Sequence, residues 1–130
     1  FLRFWFRYIN RNQDFIESGN LNGLAELIKS DYSTYSGMVL ERYFRQQLSE
    51  QMFYRNIGSW WETSKGKDIA QNEVDIVAIY ASNKKVLIGE VKRLRKNFKP
   101  KLLQQKVEFL RTKLFYNYEI ETKCFTIDDM

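Results

Sequence analysis

Histidine is absent from this chain, and its 130 residues include a single cysteine and a single proline. The missing histidine removes Ser–His and Cys–His nucleophiles, imidazole acid–base chemistry and His-ligated zinc. One thiol, Cys124, allows neither an internal disulfide nor a four-cysteine metal site. It suits a reducing compartment, so a cytoplasmic location is expected. No apolar run approaches the roughly 20 residues that span a bilayer. The N-terminal stretch FLRFWFRYI carries Arg3 and Arg7, which suits neither a signal peptide nor an anchor, and no membrane partner is expected. Any chemistry must therefore rest on carboxylates, lysines, hydroxyls or a bound metal.

What is there is a chain with the composition of a folded domain. Hydrophobic residues make up 44% and aromatics 16%, enough for a single core at this length. The net charge is +5, with a pI near 9.3, which is compatible with a polyanionic partner. The chain opens on Phe1 rather than methionine, and is expected to be the C-terminal part of a longer protein.

Periodicity sketches the elements. Phe1, Phe4, Trp5, Tyr8 and Ile9 recur at helical spacing, which predicts a helix over 1–11 with its apolar stripe docked on a core. Asn20 or Asn22 can cap a short second helix carrying Leu21, Leu24, Leu27 and Ile28. A third helix is expected over 34–49, with Ser33 or Ser36 near its start and Leu40, Tyr43, Phe44 and Leu48 along one stripe. Glu41 borders that stripe, where a carboxylate is either a site residue or a solvated edge residue. A strand at 57–62, a polar loop at 63–72 and a hairpin at 73–92 follow. Pro100 fits a first helical position, opening a helix to about 116 that buries Leu102, Leu103, Val107, Leu110 and Leu114. A strand at 122–127 ends the order. This is an α/β arrangement. The expected division is a helical segment at 1–33 packing on a core at 34–130.

The hairpin carries the chemistry. Its arms VDIVAIY and KVLIGEVK are rich in β-branched residues, and a turn at Ser82-Asn83 sets Asp75 opposite Glu90, Val77 opposite Ile88 and Ile79 opposite Val86. Alternation then puts Lys92 on the face of Glu90. Both faces are apolar, Val77, Ile79, Val86 and Ile88 on one and Ile76, Ala78, Tyr80, Leu87 and Val91 on the other, so the hairpin is expected centrally, under helices on both sides. Charges there need compensation. Cross-strand Cβ atoms stand roughly 4.5–5.5 Å apart, so one Mg2+ or Mn2+ ion could bridge Asp75 and Glu90. Lys92 would orient or deprotonate a water, or stabilise charge on an attacked phosphate, in metal-assisted phosphodiester hydrolysis. The competing readings are a structural ion pair at a strand end and a fold that has lost its activity. Glu-x-Lys alone means little, since Glu121-Thr-Lys123 repeats it without a hairpin partner.

The segments FLRFWFRYI, GMVLERYFRQQL, IGSWW, EVDIVAIY and VLIGEVK together resemble the domain of unknown function at the C-terminus of archaeal and bacterial P-loop ATPases of the AAA class. That family is regarded as a divergent branch of the PD-(D/E)xK, or restriction-endonuclease-like, superfamily. The resemblance runs from Phe1 to about Lys92. It implies a mixed central sheet flanked by helices with an N-terminal helical extension, a possible Mg2+- or Mn2+-dependent endonuclease acting on DNA, and an ATPase partner domain in the same longer chain. Asp75, Glu90 and Lys92 match the motif, and Glu41 matches the helical glutamate that often precedes it. Val74 stands where the motif name has proline, and no G-x-x-x-x-G-K-[ST] occurs, so this chain should not bind nucleotide in that way.

Directly after the hairpin, KRLRKNFKPK places six cations in ten residues. Arg93, Arg95, Lys96, Lys99 and Lys101 are candidate DNA-phosphate contacts, with Lys106, Arg111 and Lys113 continuing the charge along the next helix. The alternative is a solvated loop and helix face. A third possibility, a docking module, would use Trp60, Trp61 and the N-terminal aromatics against a partner.

Overall fold

The structure, a computed structural model, describes residues 1–62 and 73–130. The polar loop predicted at 63–72 lies outside the described residues. Two compact units divide the chain, Phe1–Ser36 and Gly37–Met130.

In the first unit a helical run climbs through Leu2–Phe4, a π-helical turn at Trp5–Ile9, a 3-10 turn at Asn10–Asn12 and a further helical segment at Gln13–Glu17. The π turn breaks the 3.6-residue phase of the predicted aromatic stripe. Of that stripe Tyr8 alone is buried, while Phe1 and Trp5 are exposed. Arg7 makes a bidentate contact with Asp31, and the Tyr8 hydroxyl donates to the same carboxylate at 2.6 Å. Those hydrogen bonds, from Arg7 first and Tyr8 next, hold the Asp31 carboxyl well below its usual range, at about 2.

Helix α1 (Leu21–Glu50) starts in the first unit and ends in the second. Asn20 caps it, its side-chain oxygen accepting from Gly23 N–H at 3.0 Å. Two separate helices were expected here, with Ser33 or Ser36 starting the second. The structure has one. Ser36, one of the two serines that read as a boundary, satisfies its hydroxyl within the helix by donating to the Ser33 carbonyl, as Ser30 does to that of Leu27. No proline intervenes.

The second unit is a four-stranded mixed sheet in the order β1-β2-β3-β4. Strand β1 (Tyr54–Trp60) starts earlier than the predicted 57–62 and pairs antiparallel with β2 (Val74–Tyr80), with register shifts at both ends. Strands β2 and β3 (Lys85–Val91) form the predicted hairpin. Helix α2 (Pro100–Lys113) then crosses to β4 (Glu119–Phe125), which runs parallel to β3. Pro100 is where a first helical residue was expected. Strand β4 sits a few residues upstream of 122–127 because Thr126 begins a turn, its N–H donating to Asp129 at 2.7 Å.

From Ile76 onward the faces sort as alternation predicts, while Val74, two residues before Ile76, packs with the opposite cluster, so the alternation slips at Asp75. Leu40, Phe44 and Leu48 of α1 pack on Ile76, Ala78, Leu87, Val91 and Phe125. On the other face Leu103, Val107 and Leu110 of α2 meet Val86 and Ile88, with Val77 and Ile79 at the margin. Leu102 and Leu114, predicted to be buried, are 39% and 51% exposed. The buried stripe of α2 runs 103–107–110, and position 102 lies a third of a turn off it. The architecture is α/β, with a mixed sheet covered by a helix on each face.

Candidate functional site

Backbone pairing between β2 and β3 reaches up to the residues beside the predicted site. Ile76 pairs with Gly89, Val77 with Ile88, Ala78 with Leu87 and Ile79 with Val86. The pairing ends at Ile76 and Gly89, one position short of the predicted opposition of Asp75 and Glu90. The Asp75 carboxylate in fact crosses to the partner strand, its Oδ2 accepting from Val91 N–H at 2.8 Å.

Glu90 sits in β3 between β2 and β4, opposite Cys124 of the parallel neighbour. Its side chain is only 2% exposed. An isolated carboxylate there would be costly, and removing its partner from such a buried pair typically costs about 3–5 kcal/mol. Two lysines compensate. Lys92 Nζ lies 3.8 Å from Oε2, and Lys106 Nζ, from α2, lies 2.5 Å from Oε1. Lys92 is therefore on the Glu90 face, as alternation requires. Lys106 was expected on a charged outer surface of its helix, yet its side chain is just 11% exposed. The signal was available, because Lys106 falls between Leu103 and Leu110 on the apolar stripe, but the run of nearby cations masked it.

Glu41 approaches from α1. That helix packs on the face opposite Glu90, yet it still reaches Asp75: Arg45, one turn beyond Glu41, donates to the Asp75 backbone carbonyl at 2.9 Å. Arg45 also lies 3.5 Å from Glu41. Burial, and after it the negative charge of Asp75, push the Glu41 carboxyl above its ordinary value, with Arg45 opposing. Arg45 is a second site residue that sequence reasoning missed. It sits one helical turn from Glu41, the spacing at which side chains meet.

Among the described residues, no three carboxylate or thiol groups stand close enough to hold a metal ion unaided. Magnesium, however, is commonly held by one or two carboxylates with water and substrate phosphate completing its shell. Asp75 and Glu90 fit that donor set in type, being oxygen ligands on one hairpin.

The basic stretch divides. Arg95 donates to Asp129 at 3.0 Å and to Thr126 at 3.3 Å, so its guanidinium ties the chain end to the turn after the hairpin. Arg93, Lys96, Lys99 and Lys101 are exposed. Trp61 is exposed too, whereas Trp60 packs against Phe109 with ring centroids 5.8 Å apart.

Among the described residues, no helix is long and apolar enough to cross a membrane. No solved structure matches the chain. An uncharacterized protein of Methanocaldococcus jannaschii is 34% identical over 99 residues, which covers 71% of this chain and 20% of the relative, so the chain spans about a fifth of that protein's length. A family described as archaea bacterial proteins of unknown function matches over residues 5–107. By that match the chain belongs to the DUF234 family.

Proposed function

We propose that this chain is a nuclease module, hydrolysing phosphodiester bonds of DNA with Mg2+ or Mn2+. The observations that support the reading are two contacts at the end of the hairpin: Asp75 accepts from the N–H of Val91, next to Glu90, and Lys92 lies 3.8 Å from Glu90. Asp75 and Glu90 would hold the ion, with Glu41 adding negative charge beside Asp75. A bound divalent ion would supply charge neutralisation at the phosphate and an acidified water. Lys92, 37% exposed, is free to swing toward a phosphate and stabilise the charge that develops on it. Lys96, Lys99 and Lys101 would track the DNA backbone without reading its sequence.

The wider setting is part of the same proposal. The resemblance to the C-terminal domain of AAA-class ATPases, and a relative about five times longer than the matched segment, support a cytoplasmic module governed by an ATPase in the same longer chain. A second reading has its own observation. Glu90 is already neutralised by Lys106, which favours a nuclease-fold domain that has given up cutting for nucleic-acid binding or for regulating its ATPase.

Plasmid nicking in Mn2+ separates the two. Asp75→Asn, Glu90→Gln and Lys92→Met should each cut about 100-fold more slowly than wild type or worse. Cutting by all four proteins at one rate points to a contaminant. Duplex binding without cutting, also in the ATPase-containing full protein, favours the second reading.

A further inference from the structure

Glu90 has a lysine that Glu-x-Lys spacing does not announce. Lys106 reaches it from another element, sixteen residues along the chain. Of the two lysines it is the nearer and the drier, 2.5 Å from the carboxylate and 11% exposed against 3.8 Å and 37% for Lys92. It stands in the stripe that Leu103, Val107 and Leu110 bury against the sheet. A charge placed there loses hydration, which is tolerable only where an opposite charge receives it.

We infer that Lys106 is a positioning residue that sets the cation affinity of this site: its ammonium is the resident counter-charge of Glu90 and competes with a divalent ion for Oε1. The inference rests on the reading of Asp75 and Glu90 as metal ligands. Attraction at contact distance in a poorly solvated site is far stronger than between exposed groups. The same field repels a second cation approaching the same carboxylate. Lys92, farther off and wetter, is better screened and opposes an incoming ion less. In the cation-free protein the Glu90 charge is thus balanced by Lys106, and a divalent ion enters by taking over part of that role.

Methionine matches the length of the lysine stem without its charge. In the 130-residue chain, Lys106→Met should bind Mn2+ about tenfold more tightly than wild type, followed by electron paramagnetic resonance of the free ion. Its melting temperature should fall in EDTA and recover in Mn2+ by more than wild type gains. Adding Glu90→Gln should restore the melt in EDTA and abolish the tighter Mn2+ binding. Lys92→Met should change Mn2+ affinity less than Lys106→Met does.

Mn2+ affinity in Lys106→Met no tighter than in wild type overturns the inference. So does a melt that Glu90→Gln fails to restore, which would make Lys106 a packing residue. If Lys106→Met does not fold in EDTA, refolding in Mn2+ supports the inference and failure in both overturns it. These readouts use neither DNA nor cleavage. Mn2+ binding by neither protein sinks this inference and the nuclease reading together, and equal binding by both sinks this one alone. A clear Mn2+ difference in a chain that cuts nothing leaves the inference standing and removes the nuclease.

Discussion

Gly89 shows how tightly the residues around Glu90 are fitted. A Cβ at that position would stand 2.7 Å from a ring carbon of Phe125 and 3.4 Å from Ile76 Cβ. Both neighbours are buried, so neither yields freely. Gly89→Ala should therefore destabilise the fold by about 1–3 kcal/mol in urea unfolding, the usual cost of overfilling a packed site. An unchanged midpoint would mean that the Phe125 ring moves aside without cost. Glu41 gives the opposite expectation. Burial and the Asp75 charge raise its folded pKa above the unfolded value, so the group costs nothing while protonated in both states. Stability is lost as pH rises through the raised value, because only the folded protein resists the charge. Glu41→Gln should match wild type at low pH and become the more stable protein toward neutrality. A gap between the two unfolding curves that narrows with rising pH would contradict this. At the residue scale the site was half legible. Glu90 and Lys92 share a face as alternation requires, whereas Asp75 lies beyond the last β2–β3 pair, and Lys106 and Arg45 reach the site from helices whose placement no local pattern encodes.

At the scale of elements the hairpin was the most readable part, and the reason is physical. A short connection fixes the register, and a period of two then assigns every side chain to a face. Val77, Ile79, Val86 and Ile88 against Ile76, Ala78, Leu87 and Val91 came out of that rule alone. The long helix was misread for an equally physical reason. Ser33, Thr34, Ser36 and Gly37 are weak helix formers that signal a boundary when read locally. Packing of the following stripe Leu40, Phe44 and Leu48 carries α1 through them, with the Ser36 hydroxyl satisfied within the helix. Gly37 should then be a soft spot rather than a requirement. An added Cβ would meet nothing within 4 Å, so Gly37→Ala should stabilise the protein by about 0.5–1 kcal/mol, read as a higher unfolding midpoint. A loss of stability instead would mean that α1 uses this glycine as a bend or a close contact.

For the molecule as a whole the deciding quantity is charge, +5 in total, and where it stays available. Arg95 is engaged with Asp129 and Thr126, and Lys106 with Glu90, so neither should contribute much to a DNA contact. Lys96 and Lys99 are exposed on the same connection into α2, and Lys101 is exposed in its first turn. If they meet phosphates, each contact releases counterions, and the slope of log K against log salt should flatten by about 0.9 for every contact removed. Replacing these three lysines with alanine should thus flatten the slope by up to about 2.7 units in a salt titration of duplex binding. The loss should be similar for unrelated sequences, because phosphates carry no base information. Arg95→Ala should do the reverse, leaving the slope nearly as it was while lowering the melting temperature, since it releases the turn that Asp129 closes. A triple variant with the wild-type slope would move the phosphate track elsewhere on the surface. An Arg95 variant with the flattened slope would show that its guanidinium leaves Asp129 for the DNA.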